Sequence, residues 1–254
     1  MLKFVAVTKT FGNIVAVSEI SLEVDPGEFV FITGPSGAGK STLLNLILRK
    51  YLPDSGEIFF GDRDITKLKG SDVSVLRQNI GTVFQDFKIL PERTVRENIE
   101  VALAVKGVKD SEWKNRVDQV LEMVGLKDRS ELFPSQVSGG EIQRASLARA
   151  LVINPDLILA DEPTGNLDWD TADAIMQLFE KVNKAGKTVI VATHHKGIVD
   201  KMKKRRVVVR NGKIESDEGK PPARRTSGPE GKKESPKSGN PDTKKVKVKV
   251  EEVK

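Results

Sequence analysis

The chain has 254 residues, no cysteine, two histidines and a formal net charge of +6. At roughly 100–200 residues per domain, this length allows one large or two small domains. Hydrophobic residues make up 38% of it, which excludes wholesale disorder, and the lack of cysteine excludes disulfides, thiolate nucleophiles and cysteine-based zinc sites. No apolar run approaches the roughly 18–20 residues of a membrane span, and no leader-like apolar segment follows the first three residues. His194 and His195 are adjacent, so a histidine-rich metal cage is not expected.

From the N-terminus, the first stretch and Val17–Val24 read as edge strands of a small antiparallel sheet. Phe29–Thr33 is the first of three short apolar, β-rich runs; the others are Leu157–Ala160 and Thr188–Thr193. Continuous rather than alternating apolar character suits strands buried on both faces, as in a parallel α/β sheet.

Directly after the first run come Gly34, Pro35, Ser36, Gly37, Ala38, Gly39, Lys40, Ser41 and Thr42, then a helical stretch through Leu43–Arg49. This is the pattern G-x-x-x-x-G-K-[ST] in the strand-then-helix context it requires. Glycines let the backbone curl so that several N–H groups face one anion, and the helix N-terminus adds its positive dipole end. Lys40 is placed to reach terminal phosphates and Ser41 to ligate Mg²⁺.

Residues 87–155 read as a helical insertion. In Ser111–Val124, Trp113, Val117, Val120, Leu121 and Val124 recur at helical spacing, and Gly125 sits where a C-terminal cap belongs. Further on, Ser138, Gly139, Gly140 and Glu141 precede an expected amphipathic helix, Ile142–Leu151. S-x-x-E reads as a capping box, and the same glycine-flanked helix N-terminus reads as an anion site. The second buried run ends in Asp161 and Glu162, two acids at the C-terminal edge of a strand, where α/β sheets bind ligands. Asp161 suits holding Mg²⁺ through water, and Glu162 suits orienting or deprotonating an attacking water. Arg206–Ile214 reads as a hairpin around an Asn211-Gly212 turn.

A phosphate loop, Gln85, Val137–Arg144, Ile158–Pro163, Asn166–Asp168 and Ala192–His194 occur in one fixed succession. Together, across about residues 2–215, they resemble the nucleotide-binding domain of ABC-type ATPases. That resemblance implies a P-loop ABC ATPase fold: a parallel-sheet core, an N-terminal antiparallel β subdomain and an inserted α-helical subdomain. It implies ATP and Mg²⁺ as ligands. Phe11 falls at the position of the adenine-stacking aromatic, with a core phenylalanine as the competing reading. Gln85 corresponds to a Mg²⁺ or water contact that senses the helical subdomain, Glu162 to the catalytic glutamate and His194 to the γ-phosphate-contacting histidine. Ser138, Gly139, Gly140 and Glu141 correspond to the signature that binds the γ-phosphate of the opposite subunit, so hydrolysis requires a head-to-tail homodimer. Asp168 falls in the loop coupling the two sites. Three positions depart from the commonest pattern: Val137 for Leu, Glu141 for Gln, and His195 where Asp is frequent.

Val83–Ile99 is similar to the cell-division branch of the family, the FtsE type. The implied partner is an FtsX-like integral membrane subunit whose short cytoplasmic helix enters a groove near Phe87–Pro91. The implied location is cytoplasmic, peripheral at the inner face of the cell membrane. ATPases of lipoprotein-release or macrolide-export transporters share the Asp161–Asp168 segment and remain the alternative. Residues 216–254 hold 11 Lys+Arg and 7 Asp+Glu, so most of the basic excess lies in a Pro-, Gly-, Ser- and Lys-rich tail that reads as disordered. It has no aromatic residue for stacking, and no specific nucleic acid is expected as a partner.

Overall fold

The structure is a computed structural model, and it describes residues 1–219. The tail, including the alternating Lys245–Val250 segment, lies outside the described residues. The strands are β1 (Leu2–Phe11), β2 (Ile14–Val24), β3 (Phe29–Thr33), β4 (Ser55–Phe60), β5 (Arg63–Asp64), β6 (Ile80–Phe84), β7 (Leu157–Asp161), β8 (Thr188–Thr193), β9 (Arg205–Arg210) and β10 (Lys213–Glu218). The helices are α1 (Lys40–Ile47), α2 (Ser71–Gln78), α3 (Val95–Lys106), α4 (Asp110–Val124), α5 (Gly139–Val152), α6 (Trp169–Lys184) and α7 (Lys196–Met202).

A six-stranded sheet in the order β10-β9-β3-β8-β7-β6 forms the centre, and β9, β3, β8, β7 and β6 run parallel. Its three expected strands are almost wholly buried, as their continuous apolar runs require. A four-stranded antiparallel sheet, β2-β1-β4-β5, faces it across one core that also takes Leu43, Leu46 and Ile47 of α1. A second core lies between the central sheet and α6, where Phe31, Ile175 and Phe179 meet. A third joins α3, α4 and α5 through Ile99, Leu103, Val117, Leu121, Ala145 and Ala148.

Several local expectations hold. Gly125 caps α4 at φ 69°, and Ser138 and Glu141 form a reciprocal capping box at α5. Asn211 and Gly212 both have positive φ (49° and 73°) in the turn between β9 and β10. Others are corrected. The N-terminal strand is not an edge, because β4 pairs with it in the register Leu2↔Phe60, so β1 lies inside its sheet. Neither β4, with Gly56 and Glu57, nor the five-residue β6 announces itself by periodicity. The last hairpin strand runs to Glu218, past the Ile214 at which the expected hairpin ends.

Helix α5 is also not amphipathic. Leu147 and Ala150 enter the second core while Ala145, Ala148 and Val152 enter the third, so the helix is sandwiched. A helix buried on two sides loses the single apolar stripe of a surface helix.

Candidate active site

Parallel pairing fixes where the site lies. Thr33 pairs with Thr193, Asp161 with Ala192, and Phe84 with Asp161. The C-terminal ends of β3, β6, β7 and β8 are therefore level, and the loops leaving them open at one edge. A cavity of about 480 Å³ occupies that edge, lined by Pro35, Ser36, Gly37, Gly39, Lys40, Ser41, Thr42, Gln85, Glu162 and His194, with Ile14 and Ala16 at its side.

The phosphate loop wraps the N-terminus of α1. Gly39 caps this helix at φ 105°, and a Cβ there would collide with the Ala16 carbonyl oxygen and come within 2.9 Å of Val17 Cγ1. Both the left-handed backbone and the neighbouring strand thus demand glycine. Gly39→Ala is expected to lose more than about 1 kcal/mol in urea denaturation and to lose ATP binding with it; a variant as stable as the parent would contradict this packing. Lys40 is 7% exposed, and its ammonium donates to the carbonyls of Gly34 (2.9 Å) and Pro35 (3.0 Å).

Opposite stand the two acids at the end of β7. Ser41 Oγ donates to Asp161 Oδ1 at 3.0 Å. Burial pushes the Asp161 carboxyl above its ordinary range, reinforced by Glu162 and opposed by the Ser41 hydrogen bond and Lys40. Hard oxygen donors of this kind suit Mg²⁺, which takes one or two carboxylates and completes its shell with phosphates and water. Among the described residues no three His, Cys, Asp or Glu cluster as a metal cage.

Glu162 sits at φ 47°, an unusual backbone for a non-glycine residue, anchored by its N–H donating to Ala192 O at 2.8 Å. Its carboxylate is gripped three ways. Oε1 lies 2.8 Å from His194 Nδ1 and 3.6 Å from Lys40 Nζ, and Oε2 accepts from the His194 N–H at 3.2 Å. A carboxylate so held, lining one cavity with the phosphate loop, is placed to take a proton from water.

Gln85 follows β6 and exchanges side-chain and backbone hydrogen bonds with Asn166, at 3.2 and 3.3 Å. Gly165 allows this approach, since a Cβ there would come 3.0 Å from Gln85 Nε2. Asn166 was visible only as part of a motif. Its role as a tie to Gln85 needed the β6–β7 pairing.

The remaining expected residues lie elsewhere. Ser138, Gly139, Gly140 and Glu141 begin α5 and do not line the cavity of their own chain. Glu141 is spent on the capping box and an ion pair with Arg129 at 3.3 Å. Asp168 is exposed and caps α6, accepting from the Thr171 N–H at 3.0 Å. Phe11 is 41% exposed at the end of β1 and packs edge-on against Tyr51 at 5.0 Å, which removes the core reading. Asp54 holds that strand end through Lys9 and Thr10, and these donors draw its carboxyl down to about 2. His195 faces the Trp169 ring at 5.4 Å and accepts from the Ile198 N–H, capping α7.

The geometry joins a phosphate loop, a paired acid and a histidine on one sheet edge, and the family comparison agrees with it. The family model described as ABC transporter matches residues 17–165. The chain belongs to the ABC transporter family. It is 47% identical over 219 residues to the cell division ATP-binding protein FtsE of Bacillus subtilis, covering 86% of this chain and 96% of that one. Against FtsE of Escherichia coli K12 it is 42% identical over 215 residues, 84% and 97% of the two chains. Among solved structures it is similar to a dimeric ATP-binding cassette in a post-hydrolysis state bound to ADP and Pi, with TM-score 0.78, 38% identity and coverage of 86% and 98%. It is also similar to cbiO1 of Clostridium perfringens, with TM-score 0.79, 28% identity and coverage of 85% and 87%. The chain is thus an ATP-hydrolysing ABC subunit of the FtsE cell-division type.

Proposed function

We propose that this ABC subunit hydrolyses Mg²⁺–ATP in a head-to-tail homodimer and drives an FtsX-like membrane subunit that regulates cell-wall hydrolysis. The observation that carries the dimer is the separation within one chain. The phosphate loop, Glu162, Gln85 and His194 line the cavity, with Asp161 bonded to Ser41 behind it, while the capped helix N-terminus at Ser138–Gly140 does not line it. A second copy supplies the missing anion-binding helix end.

In that reading Lys40 and the loop N–H groups hold the β- and γ-phosphates, and Phe11 stacks on the adenine. Ser41, Asp161 through water, and Gln85 would hold Mg²⁺, which would supply charge neutralisation at the phosphates. Glu162 accepts the proton of the attacking water, and His194 keeps the Glu162 carboxylate in place while contacting the γ-phosphate. Ser138, Gly139 and Gly140 bind the γ-phosphate across the interface, with Glu141 holding their cap. Asp168 lies in the loop linking the two sites. ATP binding closes the dimer and hydrolysis releases it.

The membrane partner's cytoplasmic helix docks beside the loop after Gln85. Leu90 is 39% exposed in that loop, and Val101 and Val105 of the following helix α3 are 38% and 66% exposed, apolar side chains open to a partner. No helix of the described residues is long and apolar enough to cross a membrane, and we place the subunit at the inner membrane face through this contact.

Affinity purification of the tagged subunit from detergent-solubilised membranes tests the partner. Recovery of an FtsX-like subunit is expected. Recovery of a lipoprotein-extraction or macrolide-export permease in its place would overturn the cell-division assignment and leave the ATPase chemistry standing.

A further inference from the structure

Helix α5 carries three polar side chains at successive i, i+3 positions, Gln143, Ser146 and Arg149, which share one face between its two apolar flanks. None of the three has a role in the chemistry above. Gln143 and Ser146 are fully buried. Gln143 Nε2 donates to Pro163 O at 2.5 Å, directly after Glu162. Ser146 Oγ donates to Phe87 O at 3.2 Å. The Arg149 guanidinium donates to Phe87 O at 2.9 Å and Lys88 O at 2.6 Å.

Two features make this stripe more than ordinary packing. Among the described residues Arg149 has no carboxylate partner, and burial lowers its affinity for its proton. A desolvated guanidinium costs stability unless its donors are used. Its partners are also unusual: Phe87 (φ 57°) and Lys88 (φ 48°) are consecutive left-handed non-glycine residues. Such a backbone is disfavoured for a residue with a Cβ and persists only where its surroundings fix it. From the other side, Asn98 accepts from the Leu90 N–H and donates to the carbonyls of Leu90, Arg93 and Thr94, closing the same loop.

We infer that Gln143, Ser146 and Arg149 are positioning residues for hydrolysis: one face of α5 holds the loop after Gln85 and the loop after Glu162 in register. Because α5 begins at Ser138–Gly140, engagement of that end by a nucleotide shifts both catalytic loops as one body. Arg149 places two donors on two carbonyls of a strained segment. This inference rests on the site reading above and assigns its mechanical link.

The test uses the full-length chain as Arg149→Ala, Arg149→Lys and Gln143→Ala, with Glu162→Gln alongside. Arg149→Ala should lower kcat by on the order of 10- to 100-fold, the range that ångström-scale misplacement of a catalytic group produces. KM for ATP and equilibrium binding of ATP should stay unchanged. Trypsin should cut faster after Lys88, since the loop opens locally without global unfolding. Arg149→Lys, with one compact donor group in place of a planar fork, should recover kcat only in part. Unchanged kcat and unchanged cleavage in Arg149→Ala would overturn the inference. So would a kcat loss that merely tracks a loss of ATP binding and of thermal stability, or Arg149→Lys and Gln143→Ala both behaving as wild type. Wild-type turnover by Glu162→Gln would instead overturn the site reading on which the inference stands.

Discussion

Glu162→Gln is expected to bind ATP with near wild-type affinity and to lose turnover by about 10²- to 10⁴-fold, the usual contribution of a positioned general base. The substitution preserves the side chain's shape and an oxygen able to accept from the His194 N–H, a bond of 3.2 Å in the native chain. It removes the capacity to take a proton and the negative charge 3.6 Å from Lys40. With the Lys40 charge no longer balanced by Glu162, phosphate oxygens become its better partner. The variant should therefore accumulate as an ATP-bound dimer, read by size-exclusion chromatography with Mg²⁺–ATP against nucleotide-free protein. Turnover at the wild-type rate would remove Glu162 from the chemistry.

Asp161→Asn should divide stability from function. Burial raises the Asp161 carboxyl above its ordinary range, so the folded chain holds this proton more tightly than the unfolded chain does. Over the interval between the ordinary and the raised value, the folded state carries more protons. Its stability then falls as pH rises, and the loss is complete above the raised value. An amide carries no such penalty and still accepts from Ser41. Nucleotide-free Asp161→Asn should accordingly melt above the parent at neutral pH, with the gap closing as pH falls into the ordinary aspartate range. The same variant should lose about 10- to 100-fold in activity, the usual cost of removing a group that acts on a metal through its water. Scanning calorimetry at several pH values and an ATPase assay read the two effects. A variant less stable than the parent at neutral pH would contradict the electrostatic account.

These two residues also mark what local sequence can convey. Asp161 and Glu162 end an apolar run of a type that must be buried in a parallel sheet, so their place at a strand's C-terminal edge follows from order along the chain. The phosphate loop is equally local: its glycines, Lys40 and Ser41 act through nine consecutive residues, and strand, loop and helix are contiguous. The capping box of Ser138 and Glu141, the Gly125 cap and the Asn211-Gly212 turn have the same character, each set by contacts a few residues apart.

Pairwise placement had no such signal. Gln85 reaches Asn166 only because β6 pairs with β7, and β6 is too short, with Gly81 inside it, to declare its partner. Gly81 itself is required by the approach of the Ala150 carbonyl from α5, far along the chain inside the helical insertion. The neighbours of Glu162 illustrate the same limit, since His194 is 32 positions away and Lys40 still farther. The expected amphipathicity of α5 failed because a second apolar cluster covers its other side, and which surfaces a helix meets is a tertiary property.

Composition supplied less about function than the raw charge of +6 suggests, because residues 1–215 carry 31 Lys+Arg against 29 Asp+Glu. What the sequence alone determined is local: a phosphate loop between strand and helix and two adjacent acids at a strand end, fixed by short-range backbone geometry and residue type. What only the tertiary structure decided is how these pieces are held. The grip of His194 on Glu162, the tie between Gln85 and Asn166, and the polar face of α5 against two catalytic loops all depend on long-range strand pairing and burial. Their free energy is gained only once the whole chain has closed.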